Sequence, residues 1–225
     1  MITLAIDTAT EICSLAFTMN EQIIGACSLK IDRAHSEKLI PLIQNLSRHI
    51  NLQLSDIGLI AVASGPGSFT GLRIGTASAK GLAHALNCPL VAVNSLDALA
   101  YQAAIKTGKI CPLIKARKNE VYTTLYEKNS TNPLPVRLTD YQVLPIRDLK
   151  KWVPAGAYLL GNGTFHFQQE LNQLFNDEIF ILTNFYSLPN AVSTAILGWQ
   201  KFQSDPRNEL LTLEPFYIQD FQIKK

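Results

Sequence analysis

S-G-P-G-S-F-T-G-L-R-I-G, residues Ser64 to Gly75, is the stretch around which the chain is read. An apolar run, Leu59–Ala63, leads into it, and a long helical pattern leaves it. The composition implies a strand, a tight backbone turn and a helix N-terminus. Gly65 and Gly67 permit backbone angles that a β-carbon forbids, and Pro66 fixes its own φ. Backbone N–H groups at such a helix start form an anion site when nothing else takes them. Two nucleotide-binding motifs are excluded. A P-loop ends in Gly-Lys-Ser/Thr, whereas Gly71 is followed by Leu72 and Arg73. The dinucleotide fingerprint G-x-G-x-x-G is missed because Gly65, Gly67 and Gly71 are spaced one residue too far. Turn-and-packing chemistry and anion binding both remain open here.

Downstream, a helix is expected from about Thr70 to Leu86. Gly71, Gly75, Ala79 and Ala83 recur every four residues along it, leaving one stripe almost without side chains. Such a stripe lets another element approach backbone to backbone. Leu72, Ile74, Ala77 and Leu82 flank it. The covering partner is either the helix expected from Ser36, with Leu39, Leu42, Ile43, Leu46 and Ile50 at helical spacing, or another chain. Ser36 is read as that helix's N-cap, with Pro41 near its first turn.

Upstream, Ile2–Ile6 reads as a buried strand ending at Asp7 and Thr8, and Ser14–Met19 with Gln22–Ser28 as a hairpin. Asp7 either caps its own turn or, beside the Thr8 hydroxyl, orients phosphate or a metal-bound water. Leu90–Val93 is a further strand and Ser95–Ile105 a further helix. The order is β-β-β-α-β-α-β-α, an α/β fold with a mixed sheet.

From Ile110 the opening pattern returns. An apolar run meets a polar turn at Lys115–Asn119, and Glu120–Tyr126 reads as strand. Aligning Ile2 with Ile110 sets Asp7 on Lys115, a faint duplication in which a lysine replaces an acid. Two lobes are expected, residues 1–105 and 106–225. In the second, Asn129–Pro135 reads as a loop, Pro145–Lys151 as a short helix and Ala157–Leu160 as a strand. Thr164–Phe175 and Ala191–Phe202 read as helices, and Pro215–Ile218 as a strand or extension.

With 47% hydrophobic and 17% charged residues in 225, a substantial core is expected rather than disorder. A formal charge of +2 argues against a strongly basic nucleic-acid surface. Cys13, Cys27, Cys88 and Cys111 show no C-x-x-C spacing and read as buried small hydrophobes of a reducing compartment. His35, His49, His84 and His166 form no i, i+4 pair, and no G-x-S-x-G occurs. With no basic leader and no long apolar run, a cytoplasmic protein away from membranes is expected.

Taken together, I-D-T-A-T-E-I-C-S-L-A at Ile6–Ala16, A-H-S-E-K-L-I-P at Ala34–Pro41, the Ser64–Gly75 stretch with A-K-G-L-A at Ala79–Ala83, and V-N-S-L-D-A-L-A at Val93–Ala100 closely resemble the TsaB (YeaZ-like) family. A-R-K-N-E-V-Y at Ala116–Tyr122 and L-G-N-G at Leu160–Gly163 extend the resemblance into the second half. It implies an actin-like, two-lobed fold shared with sugar kinases and Hsp70. It also implies a non-catalytic scaffold that binds the paralogue TsaD, and with TsaE serves threonylcarbamoylation of tRNA adenosine beside the anticodon. ATP and a metal ion are then expected in the partner subunits and none in this chain, with tRNA reached only through the complex. A homodimer is expected when the chain is alone.

The chain departs from related patterns at three places. The H-x-x-x-H metal helix of TsaD-like proteins is represented by His35 alone, because Leu39 stands at the second position. The family's second-lobe D-A-R turn is Lys115-Ala116-Arg117, and a lysine offers magnesium no oxygen ligand. Its terminal P-x-Y-L-R is Pro215-Phe216-Tyr217-Ile218-Gln219. Within the expected complex, the interface is assigned to Leu39, Leu42, Ile43, Leu46, Gly71, Arg73, Ile74, Gly75 and Ala79. The alternative is an ATP-binding kinase or ATPase of the same fold, with Asp7, Thr8 and the glycine stretch on the phosphates.

Overall fold

The computed structural model describes residues 1–30, 35–182 and 188–218, without the side chains of His35 and Pro133. Residues 1–98 and 189–215 form one compact unit, and residues 99–188 with 216–218 belong to a second. The boundary differs from the expected 105/106 division. The helix near residue 191 packs its small residues against the first sheet, so the chain returns to the unit where it began.

The first unit is built on β1 (Ile2–Asp7), β2 (Ile12–Met19), β3 (Gln22–Lys30), β4 (Ile57–Gly65) and β5 (Leu90–Asn94). They run in the order β3-β2-β1-β4-β5. β1 pairs antiparallel with β2 and parallel with β4, at the registers Asp7 with Ser14 and Ile6 with Val62. Both faces of the sheet are covered, which is why β1 and β4 are near-continuous apolar runs rather than alternating ones. On one face, α1 (His35–His49) and α2 (Phe69–Leu86) enclose a core containing Leu4, Ile6, Leu15, Phe17, Ile60 and Val62. On the other, α7 (Ala191–Ser204) lies close over a floor of Ala5, Ala16 and Ala61. A β-carbon on Gly198 would press into that of Ala61, so the alanine floor and the glycine set the approach together.

Capping explains where the helices start. Ser68 accepts a hydrogen bond from Gly71 N at 3.2 Å, so α2 begins at Phe69. Asn190 caps α7 in the same way, through Val192 N and Ser193 N. Ser36, expected as a cap, lies inside α1 instead, and Pro41 falls in its second turn.

The second unit receives the end of α3 (Ser95–Gln102), which is shorter than expected. Its strands are β6 (Gly108–Lys115), β7 (Glu120–Thr123), β8 (Tyr126–Asn129), β9 (Asn132–Arg137), β10 (Gln142–Pro145), β11 (Tyr158–Leu160) and β12 (Phe180–Ile181). Along the main path the order is β10-β7-β6-β11-β12. This repeats the first sheet position for position: a central strand, an antiparallel neighbour on one side and a parallel neighbour on the other. The added β8–β9 ribbon corrects the loop expected at Asn129–Pro135; Pro133 and Pro135 are tolerated because β9 pairs only with β8. α4 (Leu149–Trp152), α5 (Asn162–His166) and α6 (Gln168–Phe175) complete the unit, the last two breaking the expected Thr164–Phe175 helix at Phe167. Pro215–Ile218 is an extension without ladder pairing.

Candidate functional site

The hydrogen-bonding groups of the glycine stretch are spent inside the first unit. Ser68 N donates to Ala9 O at 2.7 Å, and Thr8 Oγ1 donates to Gly71 O at 2.7 Å. The turn after β1 is thereby clasped by the start of α2. A β-carbon on Gly71 would overlap the Thr8 carbonyl oxygen, and one on Gly75 would overlap Thr8 Oγ1. Glycine is required at both positions by that close approach. Two of the N–H groups that an anion would need, those of Ser68 and Gly71, are already donated within the chain. The second unit repeats the device. After β11, Gly161 and Gly163 pack against the Leu113 carbonyl of β6, and Asn162 Oδ1 accepts from Lys115 N at 2.9 Å.

The small-residue stripe therefore faces inward, beneath rather than on the outer surface of α2. Gly71, Gly75, Ala79, Leu39 and Ile43 are all buried in the unit. The covering element is the β1–β2 turn with the sheet beneath it, which helix periodicity alone could not reveal. Leu42, Leu46 and Ile74 are half-buried against the same core, and Arg73 is exposed, its guanidinium 3.8 Å from the centroid of the Phe69 ring.

What α1 and α2 turn outward shares only Arg73 with the expected set. Thr70, Arg73, Ala77, Gly81 and His84 form the exposed stripe of α2, and Ile40, Gln44 and Arg48 lie on exposed positions of α1. A β-carbon at Gly81 would meet nothing within 4 Å. This outer stripe is as smooth as the inner one at its middle, and α1 exposes Ile40 as an apolar side chain. A sequence signal for it exists in retrospect, since Ala77 and Gly81 are also four residues apart.

Asp7 ends β1 and is 1% exposed. Its Oδ1 accepts from Ala9 N at 2.9 Å, so it closes its own turn as one of the two readings proposed. Its Oδ2 is buried and has no hydrogen-bond partner among the described residues. Burial raises its pKa to about 6, the Ala9 bond opposing the shift. At the matching strand end of the second unit stands Lys115, which is exposed. Among the described residues no three His, Cys, Asp or Glu side chains gather as metal ligands, and no helix is long and apolar enough to cross a membrane. The side chain of His35 and residue Gln219 lie outside the described residues.

Comparison with known proteins follows the same lines. The family model for TsaD, tRNA N6-adenosine threonylcarbamoyltransferase, matches residues 16–136. The chain is 31% identical over 206 residues to the tRNA threonylcarbamoyladenosine biosynthesis protein TsaB of Bacillus subtilis, covering 91% of this chain and 90% of that one. YeaZ from Pseudomonas aeruginosa superimposes with a TM-score of 0.80 at 27% identity, over 96% of this chain and 99% of that chain. A ROK family protein from Streptococcus pneumoniae matches with a TM-score of 0.50 at 12% identity, over 91% and 99% of the two chains. That last likeness concerns the fold alone. With the repeated sheet order, it places the chain in the actin-like, sugar-kinase-type α/β fold.

Proposed function

The chain belongs to the TsaB (YeaZ-like) family, with a role in tRNA threonylcarbamoyladenosine biosynthesis, and from that premise we propose that it is a non-catalytic scaffold for TsaD. The observation that carries this reading is the outward side of the two helices, where α2 is smooth at Ala77 and Gly81 and α1 exposes Ile40. Residues 16–136, which include both helices, match the TsaD family model. Two chains of one fold can pair through equivalent faces, as in a twofold dimer, with each α1–α2 pair meeting the other's. Small residues at the contact let helix axes approach closely, and half-buried Leu42, Leu46, Ile74 and Leu82 give the seam an apolar base.

In this reading TsaE joins the pair, the partner subunits hold ATP and a metal ion, and tRNA is reached through the assembly. Leu39 supports the non-catalytic part: at the position of a second metal-binding histidine it is a fully buried core residue. Isolated, the chain pairs with itself through the same face. The test is reconstitution of TsaD, TsaE and the threonylcarbamoyl donor with and without this chain, scoring modified tRNA. Modification that depends on the chain is expected; full activity without it overturns the role.

One observation favours the second reading, an ATP-binding kinase or ATPase. Asp7 Oδ2 is buried and unpartnered at the end of β1, where a magnesium-bound water would find a carboxylate. Lys115 at the matching end of β6 weighs against it. Calorimetric titration of the isolated chain with Mg-ATP separates the readings, micromolar binding lost in Asp7→Asn supporting the enzyme.

A further inference from the structure

The second unit carries a cleft of about 850 Å³ that neither the scaffold role nor the kinase alternative uses. Its walls are the turn after β6, the segment following β10 and one side of α6. Ile146 N donates to Asn119 O at 2.9 Å and ties the first two walls together. Ile146 and Phe167 are 5% and 6% exposed and belong to the same core as Leu171 and Phe175 of α6. The cleft therefore stands on fixed elements, and its size is that of a small-molecule site.

Its chemistry is two-sided. Pro145, Ile146, Phe167 and Leu174 supply apolar surface, while Arg117, Lys118 and Arg147 bring three cations to the same cavity. The carboxylates of Glu120 and Glu170 also line it. A bare inorganic anion would leave the apolar surface unused, and a hydrocarbon would make no use of the cations and carboxylates that line the cleft. A polyanion lying across the whole cleft would meet the two carboxylates. The ligand that satisfies all three sets is anionic at one end, flat and apolar in its body, and carries N–H donors on its edge. We propose that this cleft binds a nucleotide with an amino-bearing base. The phosphate lies on Arg117, Lys118 and Arg147, the base lies against Phe167, Ile146 and Leu174, and Glu120 or Glu170 accepts from the exocyclic amino group. Free nucleotide and a nucleotide within single-stranded RNA present the same chemistry.

The experiment titrates the purified full-length chain by calorimetry with adenosine 5′-monophosphate, a single-stranded tetraadenylate and inorganic phosphate. The double variant Lys118→Glu, Arg147→Glu is compared, its fold checked by circular dichroism. Arg147 is suited to this because its side chain is 87% exposed and only loosely paired, 3.9 Å from Asp148. Saturable binding of at least one adenine probe is expected, tighter than phosphate and weakened roughly tenfold or more in the double variant. Tighter binding of the monophosphate assigns the site to free nucleotide; tighter binding of the tetranucleotide assigns it to an RNA strand. Absence of binding by both, equal binding of phosphate, or binding unchanged by the charge reversals overturns the proposal.

Discussion

Asp7→Asn isolates the energetic cost of one buried carboxylate. In the folded chain its pKa is raised from 3.8 to about 6, burial being the cause. Unfolded, the same group ionises near its ordinary value. Between those two pH values the folded state therefore holds a proton that the unfolded state has released, and folding stability falls as pH rises. Below the lower value the carboxyl is neutral in both states and contributes no penalty; above about 6 the penalty is complete. At about 1.4 kcal/mol per pH unit, the gap corresponds to about 3 kcal/mol at neutral pH. Asparagine keeps an oxygen for the Ala9 N–H but places an amide where Oδ2 lies, a cost of about 1–3 kcal/mol that does not vary with pH. The informative quantity is thus the pH dependence of the difference between the two proteins. Urea unfolding followed by circular dichroism at pH 4, 5, 6 and 7.5 should show the variant gaining about 2.5 kcal/mol relative to the parent across that range, since all other groups titrate alike in both. A difference that stays flat would refute the desolvated, unpartnered state of Asp7.

Two further substitutions separate the faces of α2. Gly71→Ala should destabilise by about 1–3 kcal/mol because its methyl meets the Thr8 carbonyl, whereas Gly81→Ala should stabilise by about 0.5–1 kcal/mol, both read from urea midpoints. Cys111 is fully buried and its thiol is pushed up to about 12, so native iodoacetamide labelling at pH 8 should leave it unmodified and urea should expose it, as mass spectrometry would show.

Much of the first unit is legible from local signals. The apolar runs of β1, β4 and β5 and the periodicities of α1 and α2 mark elements whose local preferences agree with the fold. The duplication is faint in sequence yet plain in topology, because sheet order depends on which strands pair and not on which residues fill them. The direction of the small-residue stripe is not legible for a related reason. A four-residue repeat of glycine and alanine states that something approaches closely, and only the register of Thr8 against Gly71 and Gly75 says what. The return of α7 to the first sheet is likewise a matter of the alanines at 5, 16 and 61, which lie far from it in sequence. The cleft of the second unit escapes a motif search because Arg117, Arg147 and Phe167 come from three separate elements.

The most direct test of the account is the affinity of TsaD for this chain bearing Ala77→Arg, measured by calorimetry beside the parent and a Lys118→Glu control. Ala77 is exposed, so the arginine is accommodated in the free chain while it blocks a close helix contact. The account expects native circular dichroism, loss of TsaD binding in Ala77→Arg and unchanged binding in the control. Parental affinity in Ala77→Arg would contradict it.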